Sequence, residues 1–330
     1  MMRRSEVILD IRTLFAPIVS DLEKVEVLLH EAAQAEFGPL SDVIETTIES
    51  GGKRIRPALA LLSGRFHPVR EEHLFRLATA VELLHDATLI HDDLLDKSLV
   101  RRGAPTVSAR WSEKATVLAG DFLLARAASQ SAQVGNIEVM RIFSDTVAVI
   151  CEGEIRQDFN GKQLLMDRED YYARIYAKTA SLFAASTECA AVLSGASPAE
   201  REALRDYGKN LGMAFQISDD VLDFVGTERE VGKPVGSDLR QGLATLPTIY
   251  FFEQDSRRDA LHAAFSHNGH SADELDRVIE WIRSSPAIDA ARGEAREFAE
   301  KAQQALEILP DTPHRASLWA LANYVVGRNK

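Results

Sequence analysis

The sequence predicts an all-α protein of about a dozen helices. Apolar residues recur mostly at the three- and four-residue spacing of a helix face, and few short β-branched runs bounded by turn residues call for strands. The chain has 330 residues, of which 45% are hydrophobic and 27% are charged. That is enough apolar material for a large core, which excludes a disordered chain, a collagen-like chain and a coiled-coil rod.

Capping residues mark helix starts in three places. Residues 197–200, Ser-Pro-Ala-Glu, place a capping Ser, a Pro at the first helical position and a Glu at the third. Residues 271–274 form a second capping box, and Asp167 opens another helix. Loop signals are short and lie at residues 51–52, 102–105, 226–236 and 266–270. Because none forms a flexible linker and no shift of composition marks a boundary, we expect a single domain over residues 1–330.

Charge and cysteine content exclude several classes of protein. Lys and Arg number 38 against 50 Asp and Glu, a net charge of −12, which does not suit general nucleic-acid binding. Cys151 and Cys189 lack metal-ligand spacing, so neither a disulfide framework nor a zinc site is supported, and a cytoplasmic location is expected. Charged residues leave no signal-peptide core near the N-terminus, and no run of about 18 apolar residues could span a bilayer. We therefore expect no transmembrane segment and at most a peripheral membrane contact.

Two copies of an Asp-Asp-x-x-Asp pattern, at residues 92–96 and 219–223, each follow a strongly apolar segment. Residues four apart share a helix face, so the carboxylates of each copy project together. Clustered carboxylates at the end of a buried helix repel one another unless a cation is present. Oxygen ligands with room for water suit Mg²⁺, whose usual companion is a phosphate. The predicted metal ligands are Asp92, Asp93, Asp96, Asp219, Asp220 and Asp223.

Basic residues for an anionic partner occur in two loops. Residues 51–57 are a glycine turn followed by three cations, and Arg101-Arg102-Gly103 follows the first acidic cluster. Arg offers forked hydrogen bonds to phosphate, Lys a point charge, and glycine a close backbone approach. A diphosphate, Mg²⁺ and deep apolar helices favour ionisation of an allylic diphosphate, in which metals stabilise the leaving group and a dry pocket shelters a carbocation. Such a reaction needs no nucleophilic side chain.

With these motifs the chain resembles the trans-isoprenyl diphosphate synthases, the polyprenyl synthetase family, over almost its whole length. The matching segments keep the family's order: residues 51–57, 82–85 leading into 91–96, 101–103, 178–183, 212–223 and 232–234. The resemblance implies mostly antiparallel helices around a deep central cavity, the isoprenoid synthase fold, usually in a homodimer. It also implies about three Mg²⁺ ions bound with the allylic diphosphate.

The resemblance assigns further roles position by position. Arg101, Lys178 and Lys233 would add positive charge around the allylic diphosphate, and Thr179 and Gln216 would face the cation. Isopentenyl diphosphate would be bound by Lys53, Arg56, His85 and Arg102, and Gly52 is a further predicted substrate-binding residue. The implied reaction is ionisation, attack by the isopentenyl double bond, and proton loss to the departing diphosphate. Phe215 is expected either in the core or in the cavity wall, and Leu243 stands where many relatives carry a lysine.

Product length is predicted from the residues four and five positions before the first acidic cluster, which form a floor for the growing chain in this family. Here they are Thr88 and Ala87, both small. Bulky aromatic residues would stop growth early, because the tail cannot enter a packed interior without displacing volume. Small ones let the tail continue toward Val81 and Leu84, so we expect a geranylgeranyl or longer product, with a long quinone tail as the preferred assignment.

Four alternatives stay open at this point. One is a farnesyl or geranylgeranyl short-chain synthase. A class I terpene cyclase is disfavoured because its second motif typically mixes Asn, Ser and Glu, whereas residues 219–223 repeat the first cluster. The pair His91-Asp92 alone suggests an HD-type phosphohydrolase, for which no further ligands are evident. A subunit of a heteromeric prenyl synthase would be expected to lose the acidic clusters, and this chain keeps both.

Overall fold

Helices form nearly all of the regular structure in the computed structural model, which describes residues 11–50, 52–101, 103–160, 167–226, 234–254 and 272–327. They are α1 Ile11–Leu14, α2 Val19–Ala33, α3 Gly38–Glu49, α4 Ile55–Ser63, α5 Glu71–Leu95, α6 Val107–Arg110, α7 Glu113–Gln133, α8 Ile137–Asn160, α9 Arg168–Ile175, α10 Ser181–Leu193, α11 Pro198–Val225, α12 Ser237–Arg240, α13 Leu246–Gln254, α14 Ala272–Arg283, α15 Ala287–Ala305 and α16 Pro313–Gly327. Within those ranges, strand pairing is confined to β1 Val100–Arg101 and β2 Ala104–Pro105, which are antiparallel. The all-α prediction is confirmed.

Two of the predicted helix starts are confirmed in detail. At α11 the Ser197 N–H donates to the Glu200 carboxylate at 2.8 Å, and the Glu200 N–H donates to the Ser197 hydroxyl at 3.3 Å, which completes a capping box. At α9 the Asp167 carboxylate accepts a hydrogen bond from the Glu169 N–H at 2.9 Å. The third predicted cap, Ser271, lies outside the described residues.

The residues group into two compact units. The first unit contains residues 1–143, 185–205 and 306–324, and the second contains residues 144–184, 206–305 and 325–330. In the first unit, α5 packs against α2, α4 and α7. Leu74, Ala78, Ala80 and Leu83 on this helix are fully buried. A helix that is apolar around most of its circumference is a core element, so α5 holds its C-terminal residues in a rigid frame.

The core of the second unit is built around α15. Alanines at residues 287, 291, 295 and 299 are buried at four-residue spacing along one face of this helix. Small side chains let neighbouring helices approach closely, and α13 and α14 both pack against α15. Ile217 and Phe224 of α11 belong to the same core, which anchors the C-terminal half of α11.

Two other expectations concern disulfides and membrane spans. Both cysteines are free, Cys151 exposed and Cys189 buried, as expected for a chain without a disulfide framework. Within the described residues, every helix is too short or too polar to span a bilayer.

Gly212 on α11 permits a close approach of backbone to backbone. A Cβ at this position would lie 2.5 Å from Ala180 Cα and 3.2 Å from Phe183 Cβ. No side chain fits there without moving the turn at residues 176–180, so Gly212 sets how near this turn lies to α11.

Gly212→Ala is therefore expected to destabilise the protein by about 1–3 kcal/mol, because the added methyl group overpacks this contact. Gly293→Ala on α15 is the control, since nothing lies within 4 Å of its added Cβ. It is expected to stabilise by about 0.5–1 kcal/mol through the higher helix propensity of Ala. Thermal unfolding of the two variants measures both effects, and equal melting temperatures would contradict the packing argument.

Candidate active site

The first aspartate cluster lies at the C-terminal end of α5. Asp92 is half-buried, Asp93 is buried and Asp96, the residue that ends the helix, is exposed. The Arg101 Nε donates to Asp93 Oδ1 at 2.7 Å. Burial and the charge of Asp96 raise the pKa of Asp93, while Arg101 acts in the opposite direction. The hairpin of β1 and β2 thus places Arg101 within hydrogen-bond distance of the first aspartate cluster.

The second aspartate cluster lies in the last turns of α11. Asp219 is half-buried, whereas Asp220 and Asp223 are buried. The Ser237 hydroxyl donates to Asp223 Oδ1 at 3.1 Å, and the Asp238 N–H donates to Asp223 Oδ2 at 3.2 Å. Both clusters therefore combine buried carboxylates held by protein donors with at least one that reaches solvent.

Both carboxylate oxygens of Asp220 accept hydrogen bonds from side-chain donors. Tyr171 donates its hydroxyl proton to Oδ2 at 2.7 Å, and Gln216 Nε2 donates to Oδ1 at 2.9 Å. Burial, with the nearby charge of Asp238, raises the pKa of Asp220 to about 7 against the lowering effect of these donors. Asp220 is thereby fixed in orientation from two sides.

Thr179 and Gln216, the residues expected at the reacting centre, form one hydrogen-bonded chain with Asp220. Thr179 Oγ1 donates to Gln216 Oε1 at 2.7 Å, and the Gln216 Nε2 in turn donates to Asp220 Oδ1. Tyr171 ends the chain and was not predicted. Its position seven residues, or about two helical turns, before Lys178 is the one signal that could have identified it.

Lys178 lies in a π-helical turn, Tyr176–Ala180, that connects α9 to α10. Its Nζ is 2.7 Å from Glu154 Oε1 on α8, and the side chain is 37% exposed. Such one-turn π segments often occur at functional sites, since they shift the side chains that follow by one position. Phe215 packs its ring against Phe183 at a centroid distance of 5.4 Å.

The basic loop before α4 lies in the first unit. Gly52 and Lys53 are exposed, and the Lys53 Nζ lies 5.4 Å from the centre of the Tyr324 ring. Arg56, in the first turn of α4, and His85 on α5 are half-buried. Arg102 and Lys233 lie outside the described residues.

The predicted floor residues lie on α5 one turn before the first cluster. Ala87 is buried, and Thr88 is half-buried with its hydroxyl donating to the His85 carbonyl at 2.7 Å. Val81 and Leu84, the residues expected deeper along the path of the tail, are both buried. The small residues therefore border an apolar part of the core.

Leu243 lines a cavity of about 200 Å³ within the second unit. The cavity also contains Arg156 and Arg174, and the Arg174 guanidinium donates to the Ala244 carbonyl. At Leu243, where the resemblance implies a lysine, the cavity thus has an apolar side chain, with arginines lining the same cavity.

Electrostatics at the two helix ends favours a bound cation. The C-terminal end of a helix carries partial negative charge, which disfavours nearby carboxylates. The last turns of α5 and α11 contain acidic residues and no basic ones. Among the described residues, no three carboxylate, imidazole or thiol side chains form a metal-binding group by themselves. The carboxylates can hold a hard cation only together with oxygen ligands from elsewhere.

Comparison with known proteins identifies the family. A model of the polyprenyl synthetase family matches residues 38–282. The chain belongs to the polyprenyl synthetase family. Similar proteins include heptaprenyl diphosphate synthase component 2 of Geobacillus stearothermophilus, 38% identical over 97% of this chain and 99% of that protein. Octaprenyl diphosphate synthase of Escherichia coli is 35% identical over 94% of this chain and 96% of its own length.

Solved structures agree with this assignment. A polyprenyl synthase from Caulobacter crescentus, complexed with calcium and isoprenyl diphosphate, superposes with a TM-score of 0.91 at 35% identity, covering 97% of this chain and 98% of that one. The predicted resemblance and the isoprenoid synthase fold are confirmed, and this member of the polyprenyl synthetase family is a prenyltransferase enzyme.

Tyr171→Phe is expected to lower prenyl transfer by about 10- to 100-fold, because Asp220 loses a donor that fixes its orientation. Leaving a buried acceptor without this partner should also cost about 1–3 kcal/mol of stability. Steady-state turnover and thermal unfolding measure the two effects.

Tyr172→Phe is the matched control for this prediction. The adjacent Tyr172 hydroxyl donates to Glu294, which also accepts from Tyr250 and belongs to neither cluster. Its loss should lower the melting temperature while leaving turnover within about twofold. Equal turnover of the two variants would show that the Tyr171 hydrogen bond serves stability alone.

Proposed function

We propose that the protein elongates an allylic diphosphate with isopentenyl diphosphate to a product of geranylgeranyl length or longer. The observation that carries the proposal is the hydrogen-bonded chain from Thr179 through Gln216 to Asp220, which ties the expected reacting centre to an acidic helix end. Thr179 and Gln216 are the two residues that the resemblance places next to the carbocation, so their hydrogen bonds toward Asp220 support the proposal.

Magnesium is the proposed cofactor, and the donor set fits it. The six aspartates offer oxygen ligands only, at helix ends whose partial charge favours a cation. The related Caulobacter crescentus structure contains calcium, another hard cation that takes oxygen ligands. When bound, Mg²⁺ would neutralise the charge that develops on the diphosphate leaving group.

We assign different roles to the aspartates within each cluster. Asp92, Asp96 and Asp219 are the proposed ligands, because each reaches solvent. Asp93, Asp220 and Asp223 are buried and accept hydrogen bonds from protein donors, so they hold the helix ends and the ligands beside them in place.

The cations of the chain are proposed to divide between the two substrates. Lys178, Arg101 and Lys233 bind the allylic diphosphate and neutralise part of its charge. Gln216 and Thr179 present oxygen atoms toward the carbocation, and their mutual hydrogen bond fixes which atoms point outward. Isopentenyl diphosphate is bound through the basic loop by Gly52, Lys53, Arg56, His85 and Arg102.

Asp219→Asn is expected to lower turnover by at least about 100-fold, because a neutral amide binds Mg²⁺ more weakly. Asp206→Asn is the control, since Asp206 is another half-buried aspartate on α11 outside the cluster. The assay follows labelled isopentenyl diphosphate with allylic primers of increasing length. Chelation should abolish incorporation and added Mg²⁺ restore it. A cyclised hydrocarbon as product would instead support a terpene cyclase.

Ala87→Phe is expected to shorten the product by one or more isoprene units, because the ring occupies the path of the tail. Ala87→Ser is the control and should leave the length unchanged, since the hydroxyl adds little volume. The names of the heptaprenyl and octaprenyl relatives support a long product. Mass spectrometry of the products gives the length, and an unchanged product in Ala87→Phe would mean that another element forms the floor.

The protein is proposed to act as a homodimer. Large apolar side chains are exposed on α7, at Val117 and Leu118, and on α8, at Ile155 and Phe159. Apolar surface of this kind is typical of subunit contacts. The similarity to a protein named component 2 favours a second candidate, a subunit of a heteromeric synthase. Turnover and solution mass of the purified chain separate the two, because a subunit is inactive until its partner is added. The cytoplasmic location stays a prediction.

A further inference from the structure

Arg54, in the middle of the basic loop, has a backbone conformation that arginine rarely adopts. Its φ is 48° and its ψ is 36°, in the left-handed region where a Cβ is strained. Strain of this kind persists only where the surroundings impose it, and it concentrates at functional sites. The side-chain contacts of Arg54 therefore indicate why this strained conformation is kept.

The Arg54 side chain points into the protein and joins three helices. Its Nε and Nη2 donate to the two oxygens of Glu26 on α2, at 2.7 and 3.2 Å. Nη1 donates to Glu82 on α5 at 2.9 Å, and Nη2 also donates to the Ile48 carbonyl on α3 at 2.9 Å. The side chain is only 14% exposed, so these contacts are shielded from water and salt.

Arg54 is the main source of positive charge for a buried carboxylate. The Glu82 side chain is 4% exposed, and among the described residues its second oxygen has no hydrogen-bond partner. Glu26, Glu82 and Asp86 all act to raise the pKa of Arg54, although burial opposes them. Without Arg54, these carboxylates would repel any diphosphate bound beside them.

The backbone of Arg54 also starts α4. Its carbonyl accepts the first hydrogen bond of the helix, from the Ala58 N–H at 3.0 Å. Lys53 precedes this fixed point and Arg56 lies in the first turn that follows it. Any movement of Arg54 therefore moves both of the loop cations assigned to isopentenyl diphosphate.

We propose that Arg54 is a positioning residue for isopentenyl diphosphate: its buried guanidinium, clamped by α2, α3 and α5, fixes Lys53 and Arg56 and neutralises the carboxylates behind them. This inference rests on the proposed function, in which the basic loop binds that substrate. Arg54 is assigned a position behind the substrate, because four of its five guanidinium N–H donors are used by Glu26, Glu82 and Ile48.

Arg65 provides a matched control at the other end of α4. Its Nη2 donates to Asp21 on α2 at 2.5 Å, and its Nη1 donates to Glu71 on α5 at 3.1 Å. Like Arg54 it joins α2 to α5 and is largely shielded, at 21% exposure. It follows the C-terminal end of α4, outside the basic loop. A structural role alone predicts the same consequences for the two arginines.

The test compares Arg54→Lys, Arg54→Gly and Arg65→Lys in the full-length enzyme with Mg²⁺. Arg54→Lys should raise the KM for isopentenyl diphosphate by at least about 10-fold and leave the KM for the allylic primer within about twofold. Arg54→Gly removes the backbone strain together with the guanidinium and should show the same selective loss. Arg65→Lys should lower the melting temperature and change neither KM by more than about twofold.

Glu26→Gln covers the case in which the Arg54 variants do not fold, because Glu26 is partly exposed and the cation stays in place. It should raise the KM for isopentenyl diphosphate by a smaller factor than Arg54→Lys does, and it should leave the KM for the allylic primer unchanged. Equal changes in both KM values, the same loss in Arg65→Lys, or normal isopentenyl diphosphate affinity in Arg54→Gly would overturn the proposal.

Calorimetric titration with isopentenyl diphosphate separates this inference from the proposed function. If the parent enzyme binds that compound but incorporates no label, the proposed reaction fails, and the affinities of the Arg54 and Arg65 variants still decide the role of Arg54. If the parent enzyme does not bind the compound at all, both the binding role of the loop and the positioning role of Arg54 are overturned.

Discussion

Carboxylates at the C-terminal ends of α5 and α11 are the constraint on which each acidic cluster depends. The partial negative charge of a helix end and the loss of hydration both disfavour ionised aspartates there. The chain meets this cost by giving each buried carboxylate at least one strong donor. The donors are Arg101 for Asp93, Tyr171 and Gln216 for Asp220, and Ser237 with the Asp238 N–H for Asp223.

These donors belong to separate secondary-structure elements. Their hydrogen bonds to the aspartates therefore fix several elements against the helix ends. Arg101 belongs to a short hairpin, Tyr171 to α9, and Ser237 begins α12. Gly236 enables the last of these contacts, because its positive φ of 68° turns the chain so that its own N–H donates to the Asp223 carbonyl at 2.8 Å. Short segments that would be irregular alone are thereby tied to long helices.

Local features of the fold and site were predictable from the sequence, whereas pairings between distant residues were not. The helix starts at Pro198 and Arg168 follow from capping rules that involve neighbours in the chain. Tyr171 and Asp220 are 49 residues apart, and no periodic pattern joins them. A motif identifies which side chains carry charge, but only the packing of helices decides which partner each one meets.

The basic residues show the same limit. Residues 53–56 contain three cations, yet Arg54 turns inward to Glu26 and Glu82. The residue pattern alone makes all three candidates for an anion, and the resemblance assigns only Lys53 and Arg56 to isopentenyl diphosphate. Burial separates the exposed Lys53 from Arg54, whose surroundings depend on where α2, α3 and α5 lie.

Burial also distinguishes cations that can exchange partners from those that cannot. Lys178 pairs with Glu154, and the lysine side chain is 37% exposed. Half-exposed ion pairs contribute little to stability, so replacing the carboxylate by a substrate diphosphate costs little. Arg54 is 14% exposed, and breaking a buried pair leaves an uncompensated charge in the core. The proposed reaction uses both kinds: an exchangeable cation such as Lys178 to meet a diphosphate, and the buried Arg54 to hold the loop that carries Lys53.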